Sequence, residues 1–314
     1  MGFFAVWGAT PPMDRPVEVI GAPMDLGADR RGVDMGPSAI RYGGLADELE
    51  RIGLTCLDGG DLPVPRPEER DPDGTDHGDR AKYFEETQAV CERLADRVSE
   101  AVAADRFPLV LGGDHSIGIG TANGLADERV GILWVDAHAD FNTPETTPSG
   151  NVHGMPLAAI LGEGPFATLP WAHAPSIDAA NVSLVGVRSV DPSEREALAA
   201  SDVTAYTMSD IDDTGITEVM EQALETATDG VDRLYVSFDL DVLDPTEAPG
   251  VGTPVRGGIS YREAHAAMEV LHRKGGDVLS ALELVEVNPV LDRENRTAEL
   301  AGELAASALG DLIL

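Results

Sequence analysis

Side chains of metal-binding type sit in three short runs of this sequence: Gly112-Gly113-Asp114-His115-Ser116, Asp136-Ala137-His138-Ala139-Asp140 and Ser237-Phe238-Asp239-Leu240-Asp241. Within them His115, Asp136, His138, Asp140, Asp239 and Asp241 form a donor set sufficient for two cations. The second and third runs follow apolar stretches, 132–135 and 234–236, that read as buried strands. Alternate strand residues point the same way, so Asp136, His138 and Asp140 are expected to share one face, and so are Asp239 and Asp241. In open α/β sheets ligands bind beyond the carboxyl ends of the strands, where these runs fall. A lone D-x-D after a strand is more often a solvated loop start. Three such runs argue otherwise, because burying four carboxylates together without cations costs several kcal/mol per unpaired group. Two divalent cations bring four Asp to formal neutrality. Four carboxylates and two imidazoles make a hard, oxygen-rich shell that suits Mn²⁺ first, with cobalt, nickel or zinc as substitutes in vitro.

The elements that must position these runs alternate regularly. Residues 17–20 read as a first strand, 37–51 as a helix and 54–57 as a second strand. Residues 63–80, rich in Pro, Asp and Glu, read as an exposed acidic loop. Over 81–104, Phe84, Cys91, Leu94, Val98 and Val102 keep helical spacing. Further strands are expected at 109–111, 131–135, 182–187, 203–206, 234–238 and 278–287. Ser260-Tyr261-Arg262-Glu263 is a capping box for a helix reaching about Arg273. This βα order predicts an α/β protein, three-layer α/β/α, with a mostly parallel, doubly wound sheet. No linker, repeat or composition shift divides the sequence, so 1–314 reads as one domain with 1–16 as an N-terminal extension.

The net charge is −34, and only two residues, Lys82 and Lys274, are lysines. Such a surface excludes nucleic acid and anionic membranes as partners, and its self-repulsion calls for salt screening. The carboxylates are dispersed rather than gathered in a tail, a balance that resembles proteins of halophiles. No apolar run has membrane-spanning length, and residues 1–10 lack the basic start of a signal peptide. Cys56 and Cys91 offer neither metal spacing nor a disulfide framework. They read as small buried hydrophobes in a reducing, cytoplasmic compartment.

Beyond the three runs, Phe141-Asn142-Thr143-Pro144, Ser149-Gly150-Asn151-Val152-His153-Gly154-Met155-Pro156 and Glu286-Val287-Asn288-Pro289 complete a set that resembles the ureohydrolase superfamily and, within it, the arginase family. The likeness runs from Gly21 through Gly32–Arg41 to the last helix. The Ser149–Gly154 run and Val190-Asp191-Pro192 point to arginases in particular.

The resemblance implies the arginase/deacetylase fold and binuclear Mn²⁺-dependent hydrolysis of the guanidinium of L-arginine to L-ornithine and urea by a metal-bridging hydroxide. It assigns His115, Asp136, Asp140 and Asp239 to one ion and His138, Asp136, Asp239 and Asp241 to the other, with Asp136 and Asp239 bridging. Two ions roughly 3.5 Å apart share a solvent molecule and lower its pKa toward neutrality. Glu286 matches the carboxylate that aligns the guanidinium; by itself it reads as a surface Glu on the 278–287 strand. Asp140 is expected to take the hydroxide's proton and pass it to the leaving amine. His153 is expected to exchange protons with solvent, a third metal ligand being its competing reading. Asp114 is expected to orient its neighbours. Glu283 stands where many relatives carry Asp, which leaves any outer role open. His77, His173, His265 and His272 lack ligand spacing and read as surface or packing residues.

At the far end of the substrate, Asn142, Thr147, Ser149 and Asn151 offer neutral donors for an α-carboxylate, and Asp191 and Glu194 offer acceptors for an α-ammonium. Agmatinase or formimidoylglutamase would keep the metal runs and change these distal contacts. A non-catalytic metal-binding protein on the same fold is the rival from another class. Little sequence follows Gly310, a feature shared with bacterial hexameric members rather than tail-linked trimers, so a homo-oligomer, hexamer over trimer, is expected.

Transfer from molar to millimolar salt is expected to lower Tm or dissociate subunits, because the Debye length grows from about 3 Å at 1 M to about 30 Å at 0.01 M. Scanning fluorimetry and sedimentation across that range check this. An unchanged Tm and full activity at millimolar salt would remove the halophilic reading.

Overall fold

The computed structural model describes residues 13, 15–28, 30–69 and 80–313. Its strands are β1 (Val17–Ala22), β2 (Cys56–Asp61), β3 (Phe107–Gly112), β4 (Val130–Val135), β5 (Val182–Val187), β6 (Thr204–Thr207), β7 (Arg233–Asp239) and β8 (Leu279–Val285). They form one sheet in the order β2-β1-β3-β8-β7-β4-β5-β6, every pair parallel. Each residue of β1, β3, β4, β5 and β8 is buried, as a sheet covered on both faces requires. The edge strands β2 and β6 have no buried residue and are partly open to solvent instead.

The helices are α1 (Gly36–Tyr42), α2 (Leu45–Arg51), α3 (Phe84–Ala103), α4 (Gly118–Asn123), α5 (Pro156–Ile160), α6 (Pro192–Ala200), α7 (Met208–Thr214), α8 (Ile216–Ala227), α9 (Tyr261–Gly275) and α10 (Arg296–Ala308). Leu133 and Val135 of β4 face a core with Ile40, Leu49, Val219, Leu271 and Leu304, from α1, α2, α8, α9 and α10. Ile132 and Trp134 face the opposite core with Leu94, Ala122 and Leu157, from α3, α4 and α5. The period of two along each strand thus builds three layers, α/β/α, in agreement with the sequence.

The chain leaves β3, skips two strand positions to lay down β4, β5 and β6, and returns to fill the gap with β7 and β8. The strands β3, β8, β7 and β4 are therefore neighbours, and their carboxyl ends bring His115, Glu286, Asp239 and Asp136 to one crevice.

Several boundaries differ from the sequence reading. The helix expected over 37–51 is two helices, broken at Gly43 and Gly44. Gly44 has φ 94°, and a Cβ on Gly43 would lie 3.1 Å from the backbone N of Glu299, so α10 packs directly against that turn. The second strand lies later than expected, at Cys56–Asp61. The strand expected over 278–287 stops at Val285, because Glu286 turns to φ 65°. Of the acidic loop, Pro67–Glu69 form a single exposed 3-10 turn, and 70–79 lie outside the described residues, as does nearly all of the 1–16 extension. Cys91 is buried as expected, whereas Cys56 on the edge strand is only half-buried; both are free thiols. His265 and His272 are packing residues, His173 is half-buried, and His77 is outside the described residues. Among the described residues no helix is long and apolar enough to cross a membrane.

Gly131 is the second residue of β4, where a Cβ would come within 1.7 Å of the carbonyl oxygen of Ala227, the last residue of α8. Gly131→Ala is expected to cost about 1–3 kcal/mol by forcing α8 off the sheet. Urea unfolding at constant salt checks it, and a midpoint equal to wild type would contradict this packing.

Candidate active site

The three runs converge, though not through strand alternation. β4 ends at Val135, so Asp136 to Asp140 is a turn rather than a strand. Asp140 adopts φ 51°, and its carbonyl accepts from the N–H groups of Leu157 and Ala158 at 3.1 and 3.3 Å, which ties the turn to α5. Asp239 is the last residue of β7, and Asp241 lies in the 3-10 turn Leu240–Val242. His115 opens another 3-10 turn, capped by Asp114, which accepts from Ser116 N at 3.1 Å and Gly27 N at 2.8 Å. Asp114 thus orients its neighbours, as expected.

His115 Nδ1 lies 3.1 Å from Asp136 Oδ2, 3.1 Å from Asp140 Oδ2 and 3.2 Å from Asp239 Oδ2. On the other side of Asp136, His138 Nδ1 is 3.0 Å from Asp241 Oδ2 and 3.5 Å from Asp136 Oδ1. Asp136 therefore presents one oxygen to each imidazole, as a bridging carboxylate would. Asp239 presents Oδ2 to His115, while its Oδ1 accepts from Asp241 N at 2.7 Å.

The donor set fits a pair of hard divalent cations by its own chemistry. Among the described residues His115 Nδ1, Asp140 Oδ2 and Glu286 Oε2 are buried without a hydrogen bond, the first two lying 3.1 Å apart but not in hydrogen-bonding geometry. Orphaned polar atoms of this kind are costly unless something else binds them. Two groups, His115-Asp136-Asp140 and Asp136-His138-Asp241, each bring their donor atoms within 4.8 Å of one another.

Of the groups behind the donors, the sequence left the role of Glu283 open and did not single out the others. His115 Nε2 hydrogen-bonds Ser237 Oγ at 2.7 Å, and Ser237 Oγ donates to Glu283 Oε1 at 2.9 Å. Glu283 also accepts from Tyr235 OH at 2.7 Å and from Thr121 Oγ1. This buried chain fixes the His115 ring with Nδ1 toward the carboxylates, the usual arrangement behind a histidine ligand. Trp134 stacks on His115 with centroids 4.2 Å apart and donates from Nε1 to Asp136 Oδ2 at 3.2 Å. Thr253 Oγ1 donates to Asp241 Oδ2 at 3.0 Å. Arg188 gathers the turn after β7 by donating to the carbonyls of Asp241, Val242 and Val255 at 2.7, 3.0 and 2.8 Å. The only local signal for Ser237 was the strand period that sets it on the face of Asp239.

Glu286 is buried, not on the surface as its local reading suggested. Its Oε1 accepts from His115 N at 3.2 Å and lies 3.1 Å from His153 Nδ1. His153 lines the cavity beside Glu286, together with His115, His138, Asp140 and Asp239, and it belongs to neither donor group.

A cavity of about 140 Å³ opens above the cluster, lined by Asn142, Thr147, Ser149, Asn151, Asp191 and Glu194 among others. Not all of these groups are free. Asn142 Nδ2 donates to Asp191 Oδ2 at 3.2 Å, so one of its donors already ties the neutral donors to Asp191. Glu194 accepts from Phe141 N at 3.0 Å and from Asp191 N at 2.9 Å, one bond on each oxygen. It props the wall while retaining only its second lone pairs for a ligand. Thr147 Oγ1 and Ser149 Oγ accept from the backbone of Gly150 and Asn151, which leaves their hydroxyl hydrogens to donate.

Burial raises Asp140 to about 7, with Asp136 adding repulsion. Burial and its neighbours Asp241 and Asp136 likewise raise Asp239. Burial opposes charge on His138, but Asp241 and Asp136 outweigh it and hold the ring protonated well above its ordinary range. The same balance against Asp136, Asp140 and Asp239 raises His115. Burial also opposes charge on His153, yet Glu286 with Asp114 and Asp140 lifts it to about 9.

Without a cation both imidazoles are held protonated above the ordinary histidine range by the surrounding carboxylates, and a ligand imidazole must lose its proton. Binding should therefore release protons and tighten as pH rises. We expect affinity for Mn²⁺ to grow about tenfold per pH unit for each proton released. Calorimetry in buffers of different ionisation enthalpy checks it, and a pH-independent affinity without proton release would overturn the donor assignment.

The arginase family model matches residues 15–310. The arginase of Bacillus subtilis (strain 168) is 48% identical over 307 residues, covering 96% of this chain and 100% of the relative. The crystal structure of Bacillus caldovelox arginase superposes with a TM-score of 0.88 at 45% identity, over 96% of this chain and 100% of the other. That of Entamoeba histolytica arginase in complex with L-ornithine gives 0.83 at 31% identity, over 95% and 99%. Converging carboxylates and imidazoles, the sheet order that assembles them and a likeness that spans nearly the whole sequence lead to one conclusion: this chain belongs to the arginase family of hydrolases.

Proposed function

We propose that this chain hydrolyses the guanidinium group of L-arginine, giving L-ornithine and urea. The observation that carries this reading is a cavity with two unlike ends. One end is the imidazole–carboxylate cluster with the unpaired Glu286 Oε2, and the other holds neutral donors beside Asp191. Similarity to arginases over 96% of the chain supports the same substrate.

His115, Asp136, Asp140 and Asp239 would hold one Mn²⁺ and His138, Asp136, Asp239 and Asp241 a second. When bound, such a pair supplies Lewis acidity that brings the pKa of water toward neutrality. The protein's own groups do the rest. The free Oε2 of Glu286 accepts an N–H of the guanidinium and holds its central carbon toward the cluster. Asp140, in a left-handed turn beside the cluster, takes the proton of the attacking water and hands it to the leaving nitrogen, which departs only once protonated. His153, hydrogen-bonded to Glu286 and partly open to solvent, returns protons between the cavity and bulk water. Asn151, Ser149 and Thr147 receive the α-carboxylate, with Asn142 beside them. Asp191 receives the α-ammonium, and Glu194 holds Asp191 by its backbone. Agmatine leaves the carboxylate donors unpaired, which a site of this kind penalises.

We also read residues 1–314 as a single domain, assembling as a homo-oligomer, hexamer over trimer, in the cytoplasm of a salt-adapted cell.

Urea release from L-arginine, agmatine and formimidoylglutamate, measured in parallel with Mn²⁺ and high salt, tests the reading. L-Arginine is expected to dominate. Asp191→Ala should lower kcat/KM for L-arginine about tenfold to hundredfold through loss of a charge-assisted hydrogen bond worth roughly 1.5–3 kcal/mol, with metal content unchanged. Equal turnover of agmatine by wild type would put the agmatinase reading ahead.

A further inference from the structure

The wall that offers neutral donors is strapped from behind by the segment entering α3. Arg80 Nη1 donates to Glu145 O at 3.0 Å, Lys82 N donates to Gly150 O at 2.8 Å, and Lys82 Nζ donates to Asn151 Oδ1 at 3.0 Å. Gly150 has φ 77°, and a Cβ there would lie 3.1 Å from Arg80 O, so the two segments meet backbone to backbone. Asn151 is only 7% exposed and lines the cavity.

A lysine ammonium is a donor and nothing else, so it can hold only the oxygen end of an amide. With Oδ1 held by Lys82, what Asn151 has for the cavity is its NH₂ end. Turned around, the same amide would present an oxygen to an incoming carboxylate and repel it. The rest of the wall needs such help, since Asp140, Asp191, Glu194, Asp239 and Glu286 all line the cavity. In a chain with two lysines and net charge −34, one lysine stands behind this wall.

We propose that Lys82 is a positioning residue for substrate selection: it locks the Asn151 amide with its donors toward the cavity and adds a cation behind the end where an α-carboxylate arrives. This rests on the reading of Asn151 as a carboxylate contact.

The test compares Lys82→Met, Lys82→Arg and Asn151→Ala with wild type, all Mn²⁺-loaded at high salt. For Lys82→Met, KM for L-arginine and the calorimetric Kd for L-ornithine should each rise about tenfold, the scale of one lost hydrogen bond to a charged group. The kcat should stay within about twofold, and the inhibition constants of agmatine and putrescine, which lack the carboxylate, should not move. Lys82→Arg, still a donor, should recover most of the affinity. An unchanged KM in Lys82→Met, alongside a raised KM in Asn151→Ala, overturns the proposal and leaves the proposed function standing. Equal weakening of carboxylate-bearing and carboxylate-free ligands, or loss of Mn²⁺ in Lys82→Met, also overturns it by pointing to a general structural role. Unchanged KM in Asn151→Ala removes the carboxylate reading itself, and this proposal with it.

Discussion

Four buried aspartates crowd one end of the sheet, and their mutual repulsion is the constraint around which the surrounding structure is arranged. Asp136, Asp140, Asp239 and Asp241 are each at most 5% exposed. At low dielectric such a group is tolerable only if the outer oxygens are hydrogen-bonded and the inner ones meet positive charge. Backbone N–H groups satisfy much of the outer side, with His138 N on Asp136, Asp241 N on Asp239 and Ala137 N on Asp241, at 2.7, 2.7 and 3.2 Å. Positive charge on the inner side comes from two imidazoles and from the cations the cluster suits. The raised position of Asp140, near 7, is the residual of that balance.

The sheet order makes this crowding unavoidable. Because β7 and β8 insert between β3 and β4, runs more than 100 residues apart in sequence end on adjacent strands. The helices packed on both faces keep the strands in register, and glycines such as Gly131 and Gly120 allow helix backbones to approach where any side chain would collide. Arg188 closes the remaining gap. Its guanidinium spans the carbonyls of the turn after β7, so the position of Asp241 depends on a residue following β5.

The cavity above the cluster is polar at both ends, and the two segments that carry its distal contacts are not independent. The Asn142–Asp191 hydrogen bond joins the loop after β4 to the start of α6, and Glu194 bonds to both segments. Displacing either loop therefore disturbs both. Lys82 and Arg80 hold the outer side of the same loop, which extends the assembly to the segment before α3.

The residue types at the cluster, the order of strands and helices and the two-sided burial of the sheet are all legible in the sequence, because side-chain period and strand-end position are local properties. Even the convergence of the six donors can be read there, from three runs of the same chemistry at strand ends. What the sequence could not supply was the means of convergence. Strand alternation was the expected device, but Asp140 turns by a left-handed backbone and Asp241 by a 3-10 turn, conformations stabilised by bonds to α5 and by Arg188. The break at Gly43 and Gly44 escaped for the same reason, since it depends on α10 arriving from the far end of the chain. Thr253 and Lys82 have no local pattern that marks them, and neither the strand period at Ser237 nor the resemblance at Glu283 reveals a partner. Their roles are pairings across 12 to 162 residues, and only the tertiary fold decides which distant donor meets which acceptor.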